Sequence, residues 1–301
     1  DARSTTWPWM RTCARSAQEN RAVDRAAVAT PECCCRHAAG KPHTRRLDLV
    51  AEELDRGVEE AAVSDFILVP GLWLNGTSWS QVVQLLEQAG HRADPLTLPG
   101  MASRSADRSG ITLADHVGAV VAAVDAAADP VIAVGHSVAA SLVHAAVDAR
   151  PDRVARAVYV GGFPARDGEP LGADFPAENG EVPLLDWSEF DDTEVGDLDE
   201  AARARFRDEA IAYPQRVLTE PLRLTDERRF QVPVTLLCPE FSPDDVRAWL
   251  KEDEAGLGEL KQIRHVDYID LPTGHWPQLT NPAALSRALL DAADRTPGAL
   301  T

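Results

Sequence analysis

Cysteine is nearly missing from most of this chain. Four of the five, Cys13, Cys33, Cys34 and Cys35, fall in the first 35 residues, which leaves Cys238 alone in the remainder. A disulfide framework is thereby excluded for the body of the protein. Cys33-Cys34-Cys35, with His37 and His43 behind it, lacks the two-to-four-residue gaps of zinc ligands, and no metal is expected. Long apolar runs are also missing. No window of 18 apolar residues occurs, so no membrane span is expected. The N-terminal stretch has no apolar h-region of a secretory signal, and the expected location is cytoplasmic. Positive charge is scarce: 30 Lys and Arg stand against 48 Asp and Glu, for a net of −18. Residues 1–47 hold nine basic and four acidic side chains, so the rest of the chain carries −23. Such a body repels phosphate, which makes nucleic acid and anionic membranes poor partners.

What is present fits an ordinary globular protein. At 301 residues, with 45% hydrophobic and 26% charged side chains, the chain is long enough for one α/β core with insertions. Residues 1–63 show no strand periodicity and read as a disordered or non-native leader, although Leu47, Val50, Ala51, Leu54 and Val58 have the spacing of one amphipathic helix. From Ser64 the character changes. Phe66-Ile67-Leu68-Val69 is a short buried-strand run closed by Pro70-Gly71, and Trp79 to Gly90 has helical spacing. Arg92 to Leu98 reads as extended. Leu113 to Ala128 predicts a helix, Pro130 to Val134 a strand, Val138 to Ala149 a helix and Val154 to Val160 a strand. Alternation at this spacing implies right-handed crossovers and a mostly parallel sheet flanked by helices. Residues 163–230 break the rhythm with 18 acidic against eight basic residues, and the pattern resumes from Val232 to Ala293. The expected division is therefore a core of residues 64–162 and 231–301 with a cap insertion at 163–230.

The segment Val131-Ile132-Ala133-Val134-Gly135-His136-Ser137-Val138-Ala139 runs from buried strand through a sharp turn into a helix. A serine on such a turn projects its hydroxyl above the sheet, and Gly135 and Ala139 must be small for strand and helix to approach. A serine needs an imidazole to take its proton at neutral pH. Leu271-Pro272-Thr273-Gly274-His275-Trp276-Pro277 places His275 in a loop after the last predicted strand. The other seven histidines lie in the leader, on helices and strands, or, for His136, at the variable position of the turn.

Taken in order, Pro70-Gly71-Leu72-Trp73, the serine turn and Gly274-His275-Trp276 resemble the α/β-hydrolase superfamily over about residues 64–295. Within it, the loop from Gly71 to Trp79 and the cap resemble the small serine esterases that include salicylate-binding methyl esterases and hydroxynitrile lyases. The resemblance implies an α/β-hydrolase fold with a small helical cap after the sixth strand, and Ser137 as nucleophile with His275 as base. It also implies an oxyanion hole of the Leu72 and Val138 backbone N–H groups. Ala139 stands where the pattern usually has a second Gly, and Pro70 where it usually has His. The usual aspartate is missing, because Ser242 occupies the closest match. Glu240, two residues earlier and on the same side of an extended backbone, is the preferred acid, with Asp244, Asp245 and Asp167 as alternatives. All four fit the chain order Ser, acid, His.

Trp73, Trp276, Phe163 and Trp187 are candidates to line an apolar pocket, and the acidic cap disfavours anionic substrates. The function expected is hydrolysis of a neutral, fairly apolar carboxylic ester or lactone through an acyl-enzyme, with no cofactor; a homodimer is left open. Two rivals stand beside it. One is a catalytically quiet ligand-binding protein on the same fold. The other is a hydroxynitrile lyase, which the resemblance disfavours because those relatives place Lys where Trp276 stands.

Overall fold

The computed structural model describes residues 63–252 and 256–295. The leader up to residue 62, the helix expected from Leu47 to Glu60 and the Cys13–His43 stretch lie outside the described residues. Six strands form one parallel sheet: β1 (Asp65–Val69), β2 (Arg92–Pro95), β3 (Val131–His136), β4 (Val154–Val160), β7 (Val234–Cys238) and β8 (Val266–Asp270), in the order β2-β1-β3-β4-β7-β8. Helices α1 (Ser80–Gln88), α2 (Leu113–Ala126), α3 (Ala139–Ala149), α7 (Pro243–Glu252), the short α8 (Pro277–Thr280) and α9 (Pro282–Asp294) connect or flank them.

Strand periodicity divides the core into two layers. Ile67, Val69 and Ala133 face one side of the sheet, where Val120 and Val124 of α2 and Leu142 and Val143 of α3 cover them. Phe66, Leu68, Ile132 and Val134 face the other, against Val82 and Leu86 of α1 and Leu285 and Leu289 of α9. A strand apolar at every position is buried on both faces, which accounts for the unbroken runs in the sequence. Strand β2 ends at Pro95 rather than reaching Leu98: the Leu96 N–H still donates to Leu68 O at 2.9 Å, but its partner strand β1 ends at Val69, just before Pro70.

The insert follows β4, the strand Val154–Val160, and leads back to β7. It carries the short helices α4 (Asp192–Val195), α5 (Glu200–Glu209) and α6 (Gln215–Thr219) together with the antiparallel pair β5 (Glu181–Val182) and β6 (Tyr213–Pro214). Among the described residues no helix is long and apolar enough to cross a membrane.

Where the insert returns to the sheet, a buried charge network fastens it. Arg229 Nε donates to Glu259 at 2.7 Å, and its Nη1 lies 3.3 Å from Asp148 of α3. Asp148 also accepts from the Thr225 and Asp226 N–H groups. Burial lowers the His144 pKa, so its Nε2–H donates to Glu259 at 3.1 Å while Nδ1 accepts from the Tyr159 hydroxyl at 2.8 Å. Removing the one guanidinium from this group strands two buried carboxylates. Arg229→Met is therefore expected to cost about 3–5 kcal/mol. A calorimetric Tm lower by roughly 10 °C would agree with that, and an unchanged Tm would not.

Candidate active site

The turn after β3 is built by close packing. Ser137 adopts φ 55°, a left-handed conformation that few side chains tolerate, and its N–H donates to Val160 O of β4 at 2.8 Å. A side chain on Gly135 would strike the Ala139 carbonyl, so strand and helix meet this closely only because that position is glycine. The hydroxyl of Ser137 is thereby held above the carboxyl edge of the sheet, where β7 and β8 also end.

Those two strands deliver the partners. Ser137 Oγ donates to His275 Nε2 at 2.9 Å, and His275 Nδ1–H donates to Glu240 Oε1 at 2.8 Å. All three side chains are buried. Glu240 Oε2 has no hydrogen-bond partner among the described residues, so the carboxylate directs its charge at the imidazole. Burial acts to lower the His275 pKa, but the Glu240 charge, the Glu240 hydrogen bond and the Glu194 charge outweigh it and raise the pKa above the usual histidine value. The alternative acids are engaged elsewhere. Asp167 accepts from the Leu224 N–H, Asp245 closes a capping pair with Ser242, and Asp244 is an exposed partner of Arg247.

The Leu72 and Val138 N–H groups find no acceptor among the described residues, and both residues are buried beside the serine turn. Trp73, next to Leu72, is itself at φ 64°, a second strained backbone position on the rim. Above Ser137 lies a small open cavity of about 30 Å³, lined among others by Leu72, Trp73, Phe190, Glu194, His275 and Trp276.

Two expected pocket residues are placed otherwise. Phe163 turns away and stacks on Phe241 with ring centres 5.4 Å apart. Trp187 sits behind the lining, edge-on to Trp276 at 6.2 Å, and supports the wall without facing the cavity. Phe163 belongs to an aromatic group with Phe241 and Trp249, and Trp187 to one with Phe190, Phe206 and Trp276.

Three contributors escaped sequence reasoning. His136, set aside as the variable residue of the turn, is fully buried, which pushes its pKa down to about 3. Neutral at physiological pH, it donates from Nε2 to the His275 carbonyl at 2.7 Å and accepts from the Gln278 amide at 3.3 Å. From α4 of the insert, the Glu194 carbonyl accepts the His275 N–H at 2.8 Å; beyond the helix, Asp197 Oδ2 accepts the Gly274 N–H at 2.7 Å. The histidine loop is thus clamped from below by the serine turn and from above by the insert. Only residues distant in sequence make these bonds, and no local pattern announces them.

Fold and site together define an α/β hydrolase with a serine, histidine and carboxylate in line. The model of the alpha/beta hydrolase family matches residues 66–288, and the chain belongs to that family. It is 32% identical over 117 residues to a carbendazim hydrolyzing esterase from Nocardioides sp. (strain SG-4G), covering 38% of this chain and 48% of that protein. The chain thus matches about half the length of that relative. It is 26% identical over 263 residues to salicylic acid-binding protein 2 of Nicotiana tabacum, covering 76% of this chain and 97% of the relative. The fold is also that of an extracellular alpha/beta-hydrolase from a Paenibacillus species, with a TM-score of 0.62 at 22% identity over 76% of this chain and 98% of that one.

A side chain at Gly274 would collide with Asp197 and with the Glu194 carbonyl. Gly274→Ala must push the histidine loop away from the insert, and a shift of about 1 Å in a reacting group costs on the order of 10²-fold. The expected outcome is a comparable drop in the rate at which a fluorophosphonate labels Ser137, with the Tm changed far less.

Proposed function

We propose that this protein is a serine hydrolase that cleaves fairly apolar carboxylic esters or lactones through an acyl-enzyme. The observation that carries this reading is the unbroken hydrogen-bonded line from Glu240 through His275 to Ser137 at the floor of an aromatic cavity. The name of the Nocardioides relative, an esterase, and family membership lend it support.

In the reaction, Ser137 Oγ attacks the ester carbonyl carbon while His275 Nε2 takes its proton. The negative charge that develops on the carbonyl oxygen meets the Leu72 and Val138 N–H groups, each such donor typically contributing about 10²–10³ in rate. His275 then returns the proton to the departing alkoxide, leaving an acyl group on Ser137. Water attacks that acyl group with His275 again as base, and the acid and free serine are released. Glu240 keeps the imidazole in the tautomer whose Nε2 can accept, and it stabilises the imidazolium formed twice per cycle.

Assay of p-nitrophenyl esters and simple lactones tests the reading. Ser137→Ala and His275→Ala are expected to lose kcat by at least about 10⁴-fold, and Glu240→Gln by on the order of 10³–10⁴. An intact chain that takes the fluorophosphonate label on Ser137 yet turns over no ester or lactone would point instead to ligand binding.

The pH profile follows from the same geometry. Only neutral His275 can accept the serine proton, so kcat/KM falls as pH drops through its pKa. Because that pKa is raised, the midpoint is expected above 6.5. Removing the Glu240 charge takes away the largest influence that raises it, and residual activity in Glu240→Gln should titrate at lower pH. An unmoved midpoint would contradict this assignment of the acid.

A further inference from the structure

The cavity over Ser137 is unusual in its charges. Its lining contains the carboxylic acids Glu189 and Glu194 and no lysine or arginine. Glu194 is 7% exposed, and its Oε2 accepts the Asp191 N–H at 2.8 Å as part of the cap of α4. Its Oε1 has no hydrogen-bond partner among the described residues. Glu194 lines the cavity, so this second oxygen is open to a donor on a bound ligand. Aromatic rings stand around it. Trp73 meets Phe190 edge to face at 6.0 Å, and Phe190 meets Trp276 at 5.5 Å. Aromatic rings and a carboxylate lining one cavity are the chemistry that holds an ammonium group.

We propose that Glu194, with Trp73, Phe190 and Trp276, forms a subsite for a basic nitrogen, so that the preferred substrates are esters bearing a protonated amine on an otherwise apolar group. This inference rests on the esterase reading above and narrows its substrate class. Glu194 lines the same cavity as Ser137 and His275, so a nitrogen held there can belong to the ester whose carbonyl faces Ser137. Burial pushes the Glu194 pKa up to about 7, with the His275 charge and the Asp191 hydrogen bond opposing and the Glu240 and Asp191 charges adding to it. An ammonium beside the carboxyl would favour its ionised form, and the group is therefore poised to respond to a cation. The acidic insert in which it sits also draws cations toward the mouth.

The test compares two isosteric substrates, 2-(dimethylamino)ethyl acetate and 3-methylbutyl acetate, which differ by a protonated nitrogen in place of a carbon. Near pH 8, where Glu194 is ionised and the amine still charged, the wild-type protein is expected to favour the amine ester by about tenfold in kcat/KM. Glu194→Gln keeps an oxygen for the Asp191 N–H but loses the charge, and should bring the ratio to about one. Because the readout is a ratio, any loss of activity common to both esters cancels. A wild-type ratio near one, or a preference that survives in Glu194→Gln, overturns the subsite while leaving the esterase reading intact. A second readout needs no turnover: titration with 2-(dimethylamino)ethanol and with 3-methylbutanol, followed by tryptophan fluorescence. Tighter binding of the amine by wild type, lost in Glu194→Gln, supports the subsite even if neither ester is hydrolysed, an outcome that would count against the esterase reading alone. Equal binding of the two alcohols would overturn the subsite in either case.

Discussion

The hydrogen bond from His275 to Glu240 is the constraint on which the site is organised. A carboxylate buried this deeply, with one oxygen lacking any partner among the described residues, is tolerable only beside a group that carries or shares positive charge. The imidazole supplies that, and in doing so its other nitrogen is directed at Ser137. Each member comes from a different strand end, so the line exists only if β3, β7 and β8 finish at the same edge of the sheet. Parallel strands linked by right-handed crossovers place their carboxyl ends together, and the topology meets this condition.

Around that line the packing is arranged to keep a loop still. His275 sits on a segment with no secondary structure of its own, yet its carbonyl is held by His136 and its N–H by the Glu194 carbonyl. The insert therefore has two duties at one point in space, anchoring the histidine and walling the cavity. Its own attachment to the core relies on the Arg229, Asp148 and Glu259 network and on the indole N–H of Trp73, which donates to Val182 O at 3.2 Å. Rigid support from both sides keeps the imidazole within hydrogen-bonding distance of the Ser137 hydroxyl, as the proposed reaction requires.

Much of the fold could be read from the chain, and for a physical reason. Strands such as Phe66–Val69 and Val131–Val134 are buried on both faces and leave continuous apolar runs, while helices such as Leu113–Ala126 carry their own cap and spacing. The insert was the least legible part. Its two-residue strands and four-residue helix are too short to show a period, and they are held by contacts with the core rather than by local preference. Pocket aromatics were half legible: sequence proximity to site residues picked out Trp73 and Trp276 but could not tell that Phe163 would prefer the face of Phe241.

The amino-acid sequence by itself determined the alternation of strand and helix, the strained serine turn and the histidine loop, because each is a local arrangement of apolar runs, glycines and prolines. It narrowed the acid to four carboxylates. Only the tertiary structure brings one of them, Glu240, within hydrogen-bonding distance of an imidazole 35 residues further along the chain. The same holds for Glu194. As a sequence feature it is one acid among the 18 of the insert; its burial against the cavity wall, with one oxygen left unpaired, arises from a helix of four residues folding over a loop some 80 residues away.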